Sequence, residues 1–417
     1  MVKLADIRML ASIIDGNKSI FLPGSSGAPT EFVSCLLRDR EYSRNLEILT
    51  SYVPGINHLD IDRFAPGTRI TGLFMQPALC EAQRQGRYRA LPVSYAGFVR
   101  HVLDKLLIDL CVVQVSPPDA QGNCSLGPAV EFLPVVLRKS RKVLALINAQ
   151  TPYIPGAPTL PYHAFDYVCD VDSALPQYIT ECDQATHAIA THIAPLVRDG
   201  SVLQVGLGKV PMALSRLLCD RRNLRFHSGM LSDGLIDLQE AGALDPDFQH
   251  TTCVLVGSQR LYQWAAEFKQ LRIAGCEVTH NPHTLLDLDR FVAVNSALEV
   301  DLFGQCNLEH ANGRAISGAG GAPDFARAAR MSRGGSSIVA LNATYNAGKG
   351  SRIVPSLSNM AITTLPRTDI DHVVTEYGMA NLCGKSVHER AEAIISVSAP
   401  VFREELTHAW RQIAARL

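Results

Sequence analysis

An α/β architecture of two domains is what the sequence predicts, and three observations carry it. The chain runs to 417 residues, beyond the size at which one hydrophobic core keeps growing, so it divides. Its strand-like segments, of which Leu110-Cys111-Val112-Val113-Gln114-Val115 is the clearest, are continuous apolar runs without alternation, the pattern of parallel strands buried on both faces. Between them stand turn-rich breaks and stretches such as Ala185, Ile189, Ile193 and Leu196, spaced three or four apart as on one helical face.

Composition narrows the function classes. Hydrophobic residues make up 47% and charged residues 19%, which is ordinary for a compact fold and far from disordered or fibrous ranges. With 39 basic against 40 acidic residues the net charge is -1, and no local basic patch is visible, so neither nucleic acid nor an anionic lipid surface is an expected partner. The opening Met1-Val2-Lys3-Leu4-Ala5-Asp6 lacks the basic and apolar regions of a secretion signal, and no apolar run reaches the roughly 18 residues of a membrane span. A cytoplasmic protein with no membrane contact is the expectation. The 11 cysteines are scattered, sit mostly in apolar stretches and form no CxxC pair; they read as buried reduced thiols. The 13 histidines show no HExxH or comparable spacing, and no metal is expected.

Taken in order, Ile13 to Leu22 reads as a turn and a short buried strand. It leads into Pro23-Gly24-Ser25-Ser26-Gly27-Ala28-Pro29, where glycine and proline exclude regular structure. Thr30 then suits the N-cap of a helix through Phe32, Val33, Leu36 and Leu37. Strand, glycine-bearing loop and helix form either a cradle for a phosphate or acyl group or a plain βα turn, and the sequence leaves both open. Leu46 to Ser51 and Pro66 to Phe74 are further pieces of sheet. The strand at 110–115 is stopped by Ser116-Pro117-Pro118-Asp119. From about Pro158 to Gln177 the pattern weakens, which marks a connection and a division into residues 1–182 and 183–417. A helix from Asp183 to Val197 opens the second domain. The strand at 202–206 runs into Gly206-Leu207-Gly208. This is no dinucleotide fingerprint, because the third glycine is missing and Pro211 stands where the helix should begin.

Several segments carry a resemblance in the same order. Ser116 to Gly127 is similar to the SPPDxxGxxSLG signature of the acetyl-CoA hydrolase/CoA-transferase family, in the branch that contains 4-hydroxybutyrate CoA-transferase. Leu203 to Pro211 resembles its LQxGxGxxP loop, and His227-Ser228-Gly229-Met230-Leu231-Ser232-Asp233-Gly234 resembles the segment that carries its catalytic glutamate. Further matches run through Val278 to Pro282, Val294 to Gln305, Ile316-Ser317-Gly318-Ala319-Gly320-Gly321 and Val373-Val374-Thr375-Glu376. The resemblance implies two similar open α/β domains of the class I CoA-transferase type with an interdomain active-site cleft, usually in a homodimer. It implies an acyl-CoA and a small carboxylic acid as substrates, no metal or redox cofactor, and transfer through a glutamyl thioester.

By the same resemblance Gly321 is the oxyanion donor, Gly206, Gly208, Gly318 and Gly320 let the backbone approach the coenzyme A ester, and Glu376 orients the nucleophile. Two positions depart. The nucleophile position is Gly229, which has no side chain, and a polar position near the Pro282 turn is His280. Imidazole there can act as base or electrostatic partner, or can be an ordinary structural histidine. Glu299, in a block resembling the family's ExD, is either a displaced carboxylate or a hydrogen-bonding residue. Glu31 suits a helix start without any catalytic role, and Cys124 and Cys306 are the thiols to weigh as nucleophiles. The functions left open are CoA transfer, hydrolysis or decarboxylation of an acyl-CoA, and acyl-CoA binding without turnover.

Overall fold

The computed structural model describes residues 1–14, 18–358 and 361–417; the turn expected ahead of the first core strand falls partly outside them. The chain forms two compact units. One holds Met1–Ile179 and Gln249–Asn281, the other Thr180–Phe248 and Pro282–Leu417. This differs from a single division at residue 183, because 33 residues from the second half of the sequence pack with the first. The reason is local bonding. Ala129 bridges Val254, Ser26 Oγ donates to the Leu255 carbonyl at 2.7 Å, and the Cys276 amide donates to the Glu131 carbonyl at 2.6 Å.

The first unit is built on eight strands in the order Val2–Lys3, Tyr167–Val171, Ser140–Asn148, Ile108–Val115, Ser19–Leu22, Glu47–Thr50, Arg69–Gly72 and Tyr88–Ala90. Every pairing is parallel. The central strand Ile108–Val115 explains its own unbroken run, since Val112, Val113 and Val115 are all fully buried and each contributes about 1.5–3 kcal/mol by leaving water. Part of the stretch expected to be a connection belongs to this sheet and part to a separate two-stranded one. Tyr167–Val171 pairs with Leu144 to Asn148, and Thr159–Pro161 pairs antiparallel with Asn123–Ser125. Short strands flanked by prolines carry too few residues to establish a period.

The main sheet strands of the second unit run in the order Arg225–Leu231, Val202–Val205, Phe291–Ser296, Ser336–Ala340, His372–Thr375 and Gly378–Asn381. The first five are mutually parallel and the last turns back antiparallel. The helix Gln184–Ile193 starts where expected, with the Asp183 side chain capping the Thr186 amide at 2.9 Å. The bond from Lys209 and this cap hold the Asp183 carboxyl down at about 2. The helix gives way to 3-10 geometry over Ala194–Leu196 because Pro195 has no amide to continue it. Pro211 is accommodated in the first turn of the helix Lys209–Leu217, where its missing donor would have had no acceptor. The core of this unit gathers Val300, Leu302, Val339, Val373, Ile394 and Trp410. Among the described residues no helix is long and apolar enough to cross a membrane.

Candidate active site

Parallel strands place their carboxyl ends on one edge, and the loops leaving that edge are where an open α/β sheet builds sites. In the second unit these loops carry most of the residues marked by sequence. Val202–Val205 leads into Gly206 and Gly208. Arg225–Leu231 holds Gly229 two residues from its end. Phe291–Ser296 leads to Glu299, and His372–Thr375 to Glu376. The helix Ala322–Met331 packs on Phe291–Ser296 and Ser336–Ala340. As the crossover between two parallel strands it starts at the same edge, so Gly318, Gly320 and Gly321 join the group.

Each element has a local reason. Gly208 has φ +131°, a value that side-chain-bearing residues rarely adopt, and open space surrounds the Cβ position at both Gly206 and Gly208. Gly320 has φ +56°, and Gly321 is the N-cap of Ala322–Met331. Residues 318 to 321 are all half-buried, so the orphan amides of the helix start are within reach of a ligand oxygen. Glu376 is half-buried and its Oε2 accepts from the Ala343 amide at 2.8 Å, which fixes the carboxylate while leaving it a second oxygen. Glu299 accepts from Asn307 Nδ2 at 3.1 Å. It lines a cavity of about 130 Å³ with His310, Tyr345, Asn346 and Arg352, whose cation lies 5.7 Å over the Tyr345 ring. Its neighbour Asp301 is fully buried and takes bonds from the Phe303 and Gln305 amides and the Gln305 side chain. Even so, desolvation raises its carboxyl above the ordinary value. Asp301 holds a turn; it is not a reagent.

Two polar groups escaped the sequence reading. Gln204 Oε1 and Asn295 Nδ2 are buried without a hydrogen-bond partner, on the neighbouring strands Val202–Val205 and Phe291–Ser296. An unmet buried polar group costs about 1–3 kcal/mol, which a bound ligand can recover. Both lie in family-like segments, Gln204 as the glutamine of the LQxGxGxxP loop and Asn295 in the stretch Val294 to Gln305, but the sequence does not show that they are buried with a polar atom unmet.

Other candidates are placed elsewhere. His280 was expected near a strand end and instead caps the short helix Cys276–Thr279 in the first unit. It is 1% exposed, its Nδ1 is 2.9 Å from Thr279 Oγ1, and its ring lies 4.9 Å from that of Tyr95. Glu31 sits in the first turn of Thr30–Arg38, whose N-cap is Pro29 with Thr30 already helical. Cys124 and Cys306 are fully buried. Desolvation pushes the first thiol up to about 11 and the second higher still, which removes both as thiolate nucleophiles. The loop Pro23 to Pro29 is no open cradle. All of it is buried, and the Ser25 and Ser51 hydroxyls bond the two oxygens of Glu131 at 2.5 and 2.6 Å.

A parallel sheet with glycine loops, a helix N-terminus and one fixed carboxylate at its carboxyl edge defines an open α/β protein with a site for an acyl or anionic ligand. The N-terminal domain of the acetyl-CoA hydrolase/transferase family matches residues 1–178 and its C-terminal domain residues 257–410. The 4-hydroxybutyrate coenzyme A transferase of Clostridium kluyveri is 30% identical, over 98% of this chain and 97% of that protein. The succinyl-CoA:cyclohexane-1-carboxylate CoA transferase of Geobacter metallireducens is 31% identical, over 97% and 94%. Among solved structures, RipA from Yersinia pestis superposes with TM-score 0.90 at 26% identity, covering 99% of this chain and 97% of that one. The chain belongs to the acetyl-CoA hydrolase/transferase family.

Proposed function

We propose that the protein passes coenzyme A from an acyl-CoA to a small carboxylic acid at the carboxyl edge of the second unit's sheet, without a glutamyl intermediate at residue 229. The observation that carries this reading is the combination at one edge of the Gly318 to Gly321 helix start, the fixed carboxylate of Glu376 and a glycine where the family resemblance puts its nucleophile. The thioester carbonyl oxygen accepts from the Gly321 amide, whose donation strengthens as negative charge develops there. Gly206 and Gly208 let the backbone approach the coenzyme A ester. Glu299 orders the small cavity beside Arg352, whose cation suits the incoming carboxylate.

With no side chain at 229, the attacking oxygen comes from the acid itself. It adds to the thioester carbonyl carbon, the C–S bond breaks, and an anhydride and coenzyme A thiolate result. The thiolate then attacks the other carbonyl of the anhydride and expels the first acid. Both substrates must be bound together, so initial-rate patterns should intersect, and no enzyme glutamate should be labelled by acyl-CoA with borohydride. Parallel patterns with a trapped glutamate, Glu299 included, would overturn the reading.

A second reading, hydrolysis, rests on Glu376. Its outer oxygen can take a proton from water as the water attacks, and coenzyme A leaves as the thiol. Thiol release without an acid acceptor would favour it. Binding without thiol release or exchange would instead favour an acyl-CoA-binding protein. These steps make no use of His280, which is 1% exposed. We place the protein in the cytoplasm, which the free thiols support, and expect a homodimer, testable by light scattering.

A further inference from the structure

We propose that Cys253, Cys276 and His280 form a zinc site in the first unit. The three come from two elements. Cys253 lies in the strand His250–Leu255 and Cys276 opens the helix Cys276–Thr279, with His280 at its C-cap. Four residues apart, Cys276 and His280 share a helical face. All three are buried, and one ligating atom from each lies within 4.8 Å of the other two. Around a tetrahedral zinc ion, with Zn–S of about 2.3 Å and Zn–N of about 2.0 Å, such atoms stand roughly 3.5–3.8 Å apart. Zinc would therefore draw the three donor atoms together by up to roughly 1 Å.

The backbone beneath the donors is held in one frame. The Val130 amide donates to the Cys253 carbonyl at 3.0 Å, the Cys276 amide to the Glu131 carbonyl at 2.6 Å, and the His280 amide to the Cys276 carbonyl at 3.0 Å. The Thr279 hydroxyl, 2.9 Å from His280 Nδ1, and the Tyr95 ring against the imidazole restrict the histidine, as outer partners of metal ligands do. Tyr95 in turn packs edge-on against Phe132 at 4.9 Å, which gives the site an apolar wall.

Charge selects the ion. Two thiolates and a neutral imidazole carry -2, so a divalent ion leaves a neutral buried group, whereas a monovalent ion leaves an uncompensated charge in a dry place. Two sulfurs and an imidazole favour zinc over magnesium, calcium or manganese. Binding displaces both thiol protons. Three protein donors leave a fourth place for water or hydroxide. The spacing was invisible in the sequence, because Cys253 is 23 residues from Cys276 and belongs to another element.

The test uses the full-length, untagged protein. Elemental analysis after purification without added metal should give about one zinc per chain. After chelator treatment, Co²⁺ should produce the visible d–d bands and sulfur-to-cobalt charge transfer of a tetrahedral thiolate site. His280→Gln should weaken Co²⁺ binding by more than the roughly 10–100-fold that loss of an outer-shell partner brings, and Cys276→Ser should remove the charge-transfer band. If Cys276→Ser fails to fold, the wild-type cobalt spectrum and His280→Gln still decide. Absence of the tetrahedral spectrum in the wild type, binding unchanged in His280→Gln, or a Cys253–Cys276 disulfide in the unreduced protein would each overturn the assignment.

Discussion

Two glycine-bearing loops, Pro23 to Pro29 in the first unit and Gly318 to Gly321 in the second, are written in similar residues and end in opposite states. Both precede a helix. In the first, Ser25 and Ser26 turn inward, one to the buried Glu131 carboxylate and the other to the Leu255 carbonyl, while Asn57 brackets the Ser25 backbone. The loop closes on itself, and its residues are inaccessible. In the second, only Ala319 separates the glycines. It has no polar group to consume the amides, and the loop stays half-open at the sheet edge. Glycine supplies backbone freedom to both. The side chains between the glycines decide whether that freedom serves the fold or a ligand.

The largest expected effect tests the open loop. Gly321→Val should lower thioester turnover at least about 100-fold, the scale of losing an oxyanion donor, with an unchanged urea midpoint. Retained turnover would move the chemistry away from this loop. In the closed loop the expected effect is on stability. Ser51→Ala strips a donor from a buried carboxylate and should cost about 1.5–3 kcal/mol in urea unfolding. That deficit has a pH sign. Desolvation raises the Glu131 carboxyl above its ordinary 4.5, so its favourable contribution is complete below that value and is lost as pH rises through the folded-state value. Removing a donor to the ionised form raises the folded value further, so the deficit should widen above pH 4.5. A pH-independent difference would show that Glu131 is not the group involved.

Gly24→Ala should cost about 1–3 kcal/mol, because the new Cβ would stand 2.2 Å from the Ser51 carbonyl oxygen; thermal melting reads it. The smallest effect is expected at Gly206, whose Cβ position meets nothing within 4 Å. Gly206→Ala should leave stability within about 0.5 kcal/mol yet raise the KM for acyl-CoA, if this loop faces the ester as proposed. An unchanged KM would detach the loop from the substrate.

Legibility in the sequence followed the range of the physics. The long core strands could be read because Val112 and Val113 are buried on both faces and their neighbours in sequence share that fate. The glycine loops of the second unit could be read from resemblance and chain order together. What could not be read depends on partners far away in the chain. Glu131 gains meaning only from Ser25 and Ser51, Gln204 and Asn295 only from each other's strands, and Cys253 only from a helix that follows it by more than 20 residues. The return of Gln249–Asn281 to the first unit belongs to the same class, since each of its segments looks locally like any other strand or helix.

That return also governs how the protein is made. During synthesis the first 179 residues cannot close their unit, because the carbonyls that receive Val130 and Ser26 arrive only with Cys253 and Leu255. At about 5–20 residues per second, the ribosome holds the nascent unit open for roughly 5–20 s while about a hundred further residues emerge. Throughout that wait the loop Pro23 to Pro29 and Glu131 lack part of their final surroundings. A fragment cut at the apparent boundary would be left permanently in that state, and supplying the second piece as a separate chain would have to mend it.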